Sequence, residues 1–414
     1  MAKVRSGTLV VQKFGGTSLA SPDRIKMVAA HLVEEKRQGK DVIVVVSAMG
    51  DTTDQLFELA KTVSPNPSKR ELDMLLTAGE RISMALLSMA ISDLGYEAIS
   101  FTGSQSGIVT DTSHTTAKIL DVRAHRVGEE LEKGRIVIVA GFQGVSPAKE
   151  VTTLGRGGSD TTCVALAAAF HAEECDIFTD VDGIYTADPR LVPRARKIEI
   201  ISYDEMLELS LCGAQVLHWR SVEVARRFGV RVHVRSSFRK EIGTIVTARE
   251  DIETAGIRGI TQDLDLVSVS VRDAEDAAGL AQRMLGALEE ADIGVRFFNI
   301  SPAGVRKGTI SIMLQRDQKK PALSRISEVL PDADLDIDEG LATISIVGHG
   351  LCGKPGMAKK ILASLASLDL QPEMISTSGI TMTVAVKETE VVRAIQRLHT
   401  DLGLDKAGNS EGPK

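Results

Sequence analysis

Two textures of apolar residues alternate along the first 250 positions. Short runs with almost no polar interruption, such as Leu9–Gln12, Val42–Val46 and Arg135–Ala140, read as strands buried on both faces. Between them apolar residues recur at helical spacing. Ser21-Pro22 places an N-cap and a first-turn proline before a helix whose Ile25, Val28, Ala29, Leu32 and Val33 share one face, and Gly39 closes it. Helical patterning returns over Leu72–Leu94 and Ser159–Phe170, and strands over Asp176–Thr179 and Val230–Val234. Alternating β and α elements with doubly buried strands predict an α/β fold: a mostly parallel sheet between two helical layers.

The texture changes after residue 248. Leu266–Val271 alternates apolar and polar, a helix follows over Ala281–Leu288, and two strands come next. The order returns about 75 residues later, LVSVSV at Leu266 matching LATISIV at Leu341, and AQRMLGALEEADI matching AKKILASLASLDL. Each copy reads βαββαβ, a ferredoxin-like unit. The expected plan is one large α/β domain at 1–248 and two small α+β domains at 263–336 and 337–408. The strand signal at 256–262 is a candidate to complete the second small domain, and 409–414 is a polar tail.

Composition narrows the function classes. With 43% hydrophobic and 25% charged residues the chain has a globular balance. A net charge of -7 and 3% aromatics leave neither the basic excess nor the stacking platforms of a nucleic-acid binder. Cys163, Cys175, Cys212 and Cys352 are scattered without a CxxC pair, which points to reduced thiols and a cytoplasmic setting, not to a disulfide framework or zinc site. No leader segment and no bilayer-spanning run is expected, so no membrane partner is either.

Two Gly-rich loops carry candidate chemistry. Lys13-Phe14-Gly15-Gly16 lies between a strand and a helix, where glycine amides, a helix N-terminus and a lysine can hold an anion. A tight turn with a surface lysine explains the same residues equally well. Thr153-Leu154-Gly155-Arg156-Gly157-Gly158-Ser159-Asp160 opens an apolar helix; its arginine can clamp a carboxylate or phosphate, and Asp160 can cap the helix or orient a lysine. A flexible loop with an N-cap accounts for Asp160 but not for the arginine among three glycines. Ser47–Thr53 and Thr179–Arg190 follow strands, at the edge where α/β sheets place ligands. Gly348–Pro355 resembles a Walker A loop but has Pro355 where a Mg²⁺-binding hydroxyl is required.

In chain order, KFGGTS at Lys13, SAMGDTTD at Ser47, TAGER with Glu80, GFQG at Gly141, TLGRGGSD at Thr153 and TDVDGIYTADPR at Thr179 resemble the aspartate kinases of the amino-acid kinase superfamily. The paired C-terminal repeats are similar to that family's tandem ACT domains. The resemblance implies that ATP, with nucleotide-borne Mg²⁺, phosphorylates L-aspartate to 4-phospho-L-aspartate at the head of lysine, threonine and methionine synthesis, with no metal held by the protein. It implies Lys13 with Gly15 and Gly16 at the transferring phosphate, organised by Asp160. It places Ser47, Thr179, Asp180, Tyr185 and Arg190 around ATP. Thr53, Glu80, Phe142, Arg156, Gly157, Gly158 and Ser159 would hold aspartate, Glu80 at its ammonium and Arg156 at a carboxylate.

Regulation by lysine or threonine is expected at the ACT pair, through Asp273, Asn299, Gly353, Pro355, Gly356, Ser376 and Thr377. A homodimer or α2β2 assembly through these domains is expected too. Two positions depart from the family: Gln215 stands where many members carry an ATP-side lysine, and Asp273–Asp276 replaces a Pro-Gly loop in the first repeat. Another amino-acid kinase, or a non-catalytic amino-acid sensor, are the competing readings.

Overall fold

The computed structural model describes residues 8–248, 256–302, 307–349, 351 and 356–406. The chain divides into two units. The first holds an eight-stranded sheet in the order Ile200–Ser202, Thr244–Thr247, Val232–Ser236, Glu174–Thr179, Leu9–Phe14, Asp41–Val46, Ile136–Ala140 and Ala98–Phe101. Every pairing is parallel except that of Val232–Ser236 with Thr244–Thr247. The register sets Lys13 beside Val45 on one side and Ile177 on the other, so its side chain leaves the sheet near the carboxyl ends of the central strands.

The helix Pro22–Arg37 starts as its sequence dictates. Ser21 accepts a hydrogen bond from the Arg24 amide, Pro22 occupies the first turn, and Ile25, Val28, Ala29, Leu32 and Val33 are buried against the sheet. Helix Gly158–Phe170 buries its first ten residues, which is why its pattern is apolar all round. A second sheet carries no sequence signal. Ile119–Val122, Ile108–Thr110, Gln143–Val145 and Val151–Thr153 form a four-stranded flap of strands only three or four residues long, too short to show periodicity. The single helix read over Leu72–Leu94 is two, Lys69–Leu76 and Ala78–Asp93, joined at Thr77. By length and composition Lys69–Asp93 is apolar enough to cross a bilayer, contrary to the expectation that no such stretch exists. The break at Thr77 and the buried carboxyls of Asp73 and Glu80 instead suit a helix pair packed within the α/β unit.

The second unit is assembled from 187–195, 212–214 and the described residues from 256 onward. Its first sheet runs Phe297–Pro302, Lys307–Gln315, Leu266–Glu275, Leu335–Asp338, all antiparallel. Its second runs Gly259–Asp263, Leu341–Val347, Thr381–Lys387, Met374–Thr377. The repeat is visible in backbone detail. After helix Ala277–Glu290 the Leu288 carbonyl accepts from Ile293 with Asp292 at φ 56; after Met357–Ala366 the Leu365 carbonyl accepts from Leu370 with Asp369 at φ 58. Ala187 and Val192 join the core of the second sheet, and Gln396 donates to the Leu191 carbonyl.

Candidate active site

The strand Leu9–Phe14 ends in two glycines because the chain must turn under close neighbours. A Cβ on Gly16 would stand 2.8 Å from the Gly50 carbonyl oxygen and 3.0 Å from that of Ala48, and the Gly50 amide donates to the Gly16 carbonyl. Lys13 bends back over this turn and its Nζ lies 2.7 Å from Asp160 Oδ1, both side chains being about nine-tenths covered. Asp160 sits in the first turn of Gly158–Phe170, where the helix N-terminus favours a negative charge. The two Gly-rich loops therefore meet through this ion pair, and the lysine is a held group, not a surface side chain on a turn.

The second loop is shaped by the same close approach. Gly155 and Gly157 have φ of +77° and +67°, and a Cβ on Gly157 would fall 2.0 Å from His218 Cβ. Gly158 backs onto Phe142, itself at φ 67, and Ser159 Oγ would lie 2.7 Å from a Cβ on Gly141. Arg156 projects from the loop exposed and pairs with no described residue. Ser47 follows Asp41–Val46, its amide donating to the Phe14 carbonyl. Thr53 is half-buried in the first turn of helix Thr52–Val63.

Glu80 lies in the first turn of Ala78–Asp93 and is 2% exposed. One carboxylate oxygen accepts from the Ala48 amide at 3.2 Å; the other is buried with no hydrogen-bond partner. Burial pushes its pKa up from 4.5 to about 7, against the smaller lowering effect of the backbone hydrogen bonds. A buried acid with one empty acceptor is ready for a cation. Its bare sequence pattern reads as an exposed acid on a helix, and the burial excludes that.

On the other flank Thr179 donates to the exposed Asp180, and the Tyr185 hydroxyl donates to Asp182. Burial, then the Asp182 contact, push the Tyr185 pKa up to about 12. Lys197, overlooked in the sequence, lies 3.6 Å from Asp182 and donates to the Ile242 carbonyl. Arg190 belongs to the second unit, and its guanidinium is engaged by Asp188. Gln215 is exposed.

Of the expected effector positions, Gly353 and Pro355 lie outside the described residues. Gly356, at φ +94, precedes helix Met357–Ala366. Ser376 and Thr377 are exposed on edge strand Met374–Thr377, and Asn299 donates to Ser301. Asp273 and Asp276 take φ 48 and 55, the left-handed conformation that a glycine would adopt without strain.

The amino acid kinase family model matches residues 8–236 and an ACT domain model matches 344–402. An aspartokinase of Mycolicibacterium smegmatis is 48% identical over 96% of both chains, and one of Corynebacterium glutamicum 46% identical over 96% of both. The chain belongs to the aspartokinase family. It is thus a phosphotransferase with a carboxyl acceptor. The structure of E. coli aspartokinase III in complex with aspartate and ADP superposes with a TM-score of 0.81 at 25% identity, covering 95% of this chain and 99% of that one.

Proposed function

We propose that the enzyme transfers the γ-phosphate of ATP to the side-chain carboxylate of L-aspartate, giving 4-phospho-L-aspartate and ADP. The observation that carries this reading is the Lys13–Asp160 ion pair joining the two Gly-rich loops. Lys13 and the Gly16 amide stabilise the charge on the moving phosphoryl group, Gly15, whose amide donates to the Phe178 carbonyl, shapes the turn, and Asp160 fixes the lysine. Ser47, Thr179, Asp180 and Tyr185 flank the nucleotide, which brings Mg²⁺ on its phosphates. Glu80 offers its empty oxygen to the substrate ammonium, Arg156 takes a carboxylate, and Thr53, Phe142, Gly157, Gly158 and Ser159 shape the pocket. A carboxylate oxygen attacks the γ-phosphorus, an acyl-phosphate P–O bond forms, and the bond to the β-bridging oxygen breaks. The nucleophile is already ionised at neutral pH, so no base is required and catalysis is positioning with charge neutralisation.

The E. coli structure holding aspartate and ADP supports this choice of substrate and nucleotide class. The catalytic domain is assigned to 1–248, with ACT domains at 263–336 and 337–408, the second completed by the strand that precedes the first. The reading extends to a cytoplasmic enzyme at the entry to lysine, threonine and methionine synthesis, paired through its ACT domains and inhibited by lysine, threonine or both. An acceptor screen by ADP release tests it. Aspartate should be the preferred acceptor over glutamate, acetylglutamate and UMP; preference for any of those would overturn the assignment.

A further inference from the structure

Arg156 stands on a turn built from glycines at positive φ, a backbone with little stiffness of its own. Its position must be imposed from outside the loop. A carboxylate that no motif contains is tied to the chain just before the loop. Asp73, on helix Lys69–Leu76, is 0% exposed. It accepts the Thr153 hydroxyl at 2.5 Å and the Thr115 amide at 3.1 and 3.2 Å, and lies 2.6 Å from His114 Nδ1. A carboxyl so deeply buried is tolerable only with its acceptors filled, so these elements hold together as one unit.

Both arms of the cluster end on the loop. Thr153 precedes Leu154, whose carbonyl accepts from Arg220 and whose amide donates to the Phe142 carbonyl. Thr115, a β-branched residue at φ 70, is held in a sparsely populated conformation while Asp73 accepts its N–H. Its carbonyl oxygen would be 2.9 Å from a Cβ on Gly155, so the strained residue abuts the glycine immediately before Arg156. The two-helix run Lys69–Asp93 thereby supplies Glu80 directly and reaches Arg156 through Asp73.

We propose that Asp73 is a positioning residue for the acceptor side of the site: through Thr153 and Thr115 it sets the loop that presents Arg156 to the substrate carboxylate. This rests on the reading that Arg156 holds the acceptor. Steady-state kinetics of Asp73→Asn, Thr153→Val, Arg156→Ala and the Asp73→Asn/Arg156→Ala double variant test it, with thermal melts as control. The near-isosteric Thr153→Val removes one arm and covers the case in which Asp73→Asn fails to fold.

The expected result is an aspartate KM raised about tenfold or more by Asp73→Asn and several-fold by Thr153→Val, with the ATP KM within about twofold. In the Arg156→Ala background, where KM is already high, Asp73→Asn should add little. A lowered Tm with an unchanged aspartate KM in the folded fraction would overturn the proposal, as would an equal rise in both KM values or full additivity with Arg156→Ala. A normal aspartate KM in Arg156→Ala alone would remove the clamp and the positioning role together. A raised KM there but not in Asp73→Asn or Thr153→Val would remove the positioning role alone.

Discussion

Lys13 and Asp160 are paired at 2.7 Å, so each fixes the other where charge will develop on the phosphoryl group. Asp160→Asn should lower kcat by about 10²–10³ while moving the aspartate KM little, as for loss of one preorganised electrostatic contact. Rapid-quench or steady-state turnover measures it. Glu80 makes a prediction whose sign follows from burial. Its native pKa of about 7 exceeds the value of 4.5 for the unfolded chain. Below pH 4.5 both states hold the proton and there is no penalty. Between 4.5 and 7 the unfolded chain ionises first, and the native state loses stability. Above 7 the full cost remains, of order 3 kcal/mol. Glu80→Gln should therefore melt higher than the parent above pH 7 and converge with it in acid, while binding aspartate far more weakly. In the parent, kcat/KM for aspartate should fall towards tenfold per unit as pH drops below 7, because the carboxyl must ionise to meet an ammonium.

At the scale of elements, long doubly apolar strands and the capped helix at Ser21-Pro22 were legible because each carries its own local signal. The helix over Leu72–Leu94 was legible as helix but not as two, since Thr77 is neither glycine nor proline. The flap of short strands left no periodic trace. Among site residues, Arg156 is readable because a flexible loop does not account for an arginine among three glycines, whereas Lys13 and Gly16 read equally well as a tight turn with a surface lysine until the 2.7 Å contact with Asp160 is seen. The bare pattern around Glu80 carries no sign of its burial, which depends on Ala48, 32 residues away in sequence. Asp73 had no signal, for its partners come from 114, 115 and 153. Two glycine-related substitutions test the backbone account. Gly157→Ala combines φ +67 with a Cβ 2.0 Å from His218 and should sharply reduce kcat/KM for aspartate. Asp369→Gly relieves a left-handed aspartate at a helix end and should stabilise the chain by up to about 1 kcal/mol in chemical denaturation.

At the scale of the whole molecule, the second unit draws on 187–195 and 212–214 as well as on the repeats. The first of these pieces opens with the turn dipeptide Asp188-Pro189, and only the burial of Ala187 and Val192 shows that it is part of a core. Lysine or threonine, alone or together at millimolar concentration, is expected to lower the initial rate. An unchanged rate with every combination would contradict feedback control at the ACT repeats. If the paired loops make an acyl phosphate on aspartate, a strong nucleophile will intercept it. Trapping with hydroxylamine tests this most directly. The enzyme with ATP, Mg²⁺ and L-aspartate should yield aspartyl hydroxamate and ADP one for one, and Lys13→Ala should abolish both. ADP release without hydroxamate, or hydroxamate formation undiminished in Lys13→Ala, would contradict the account.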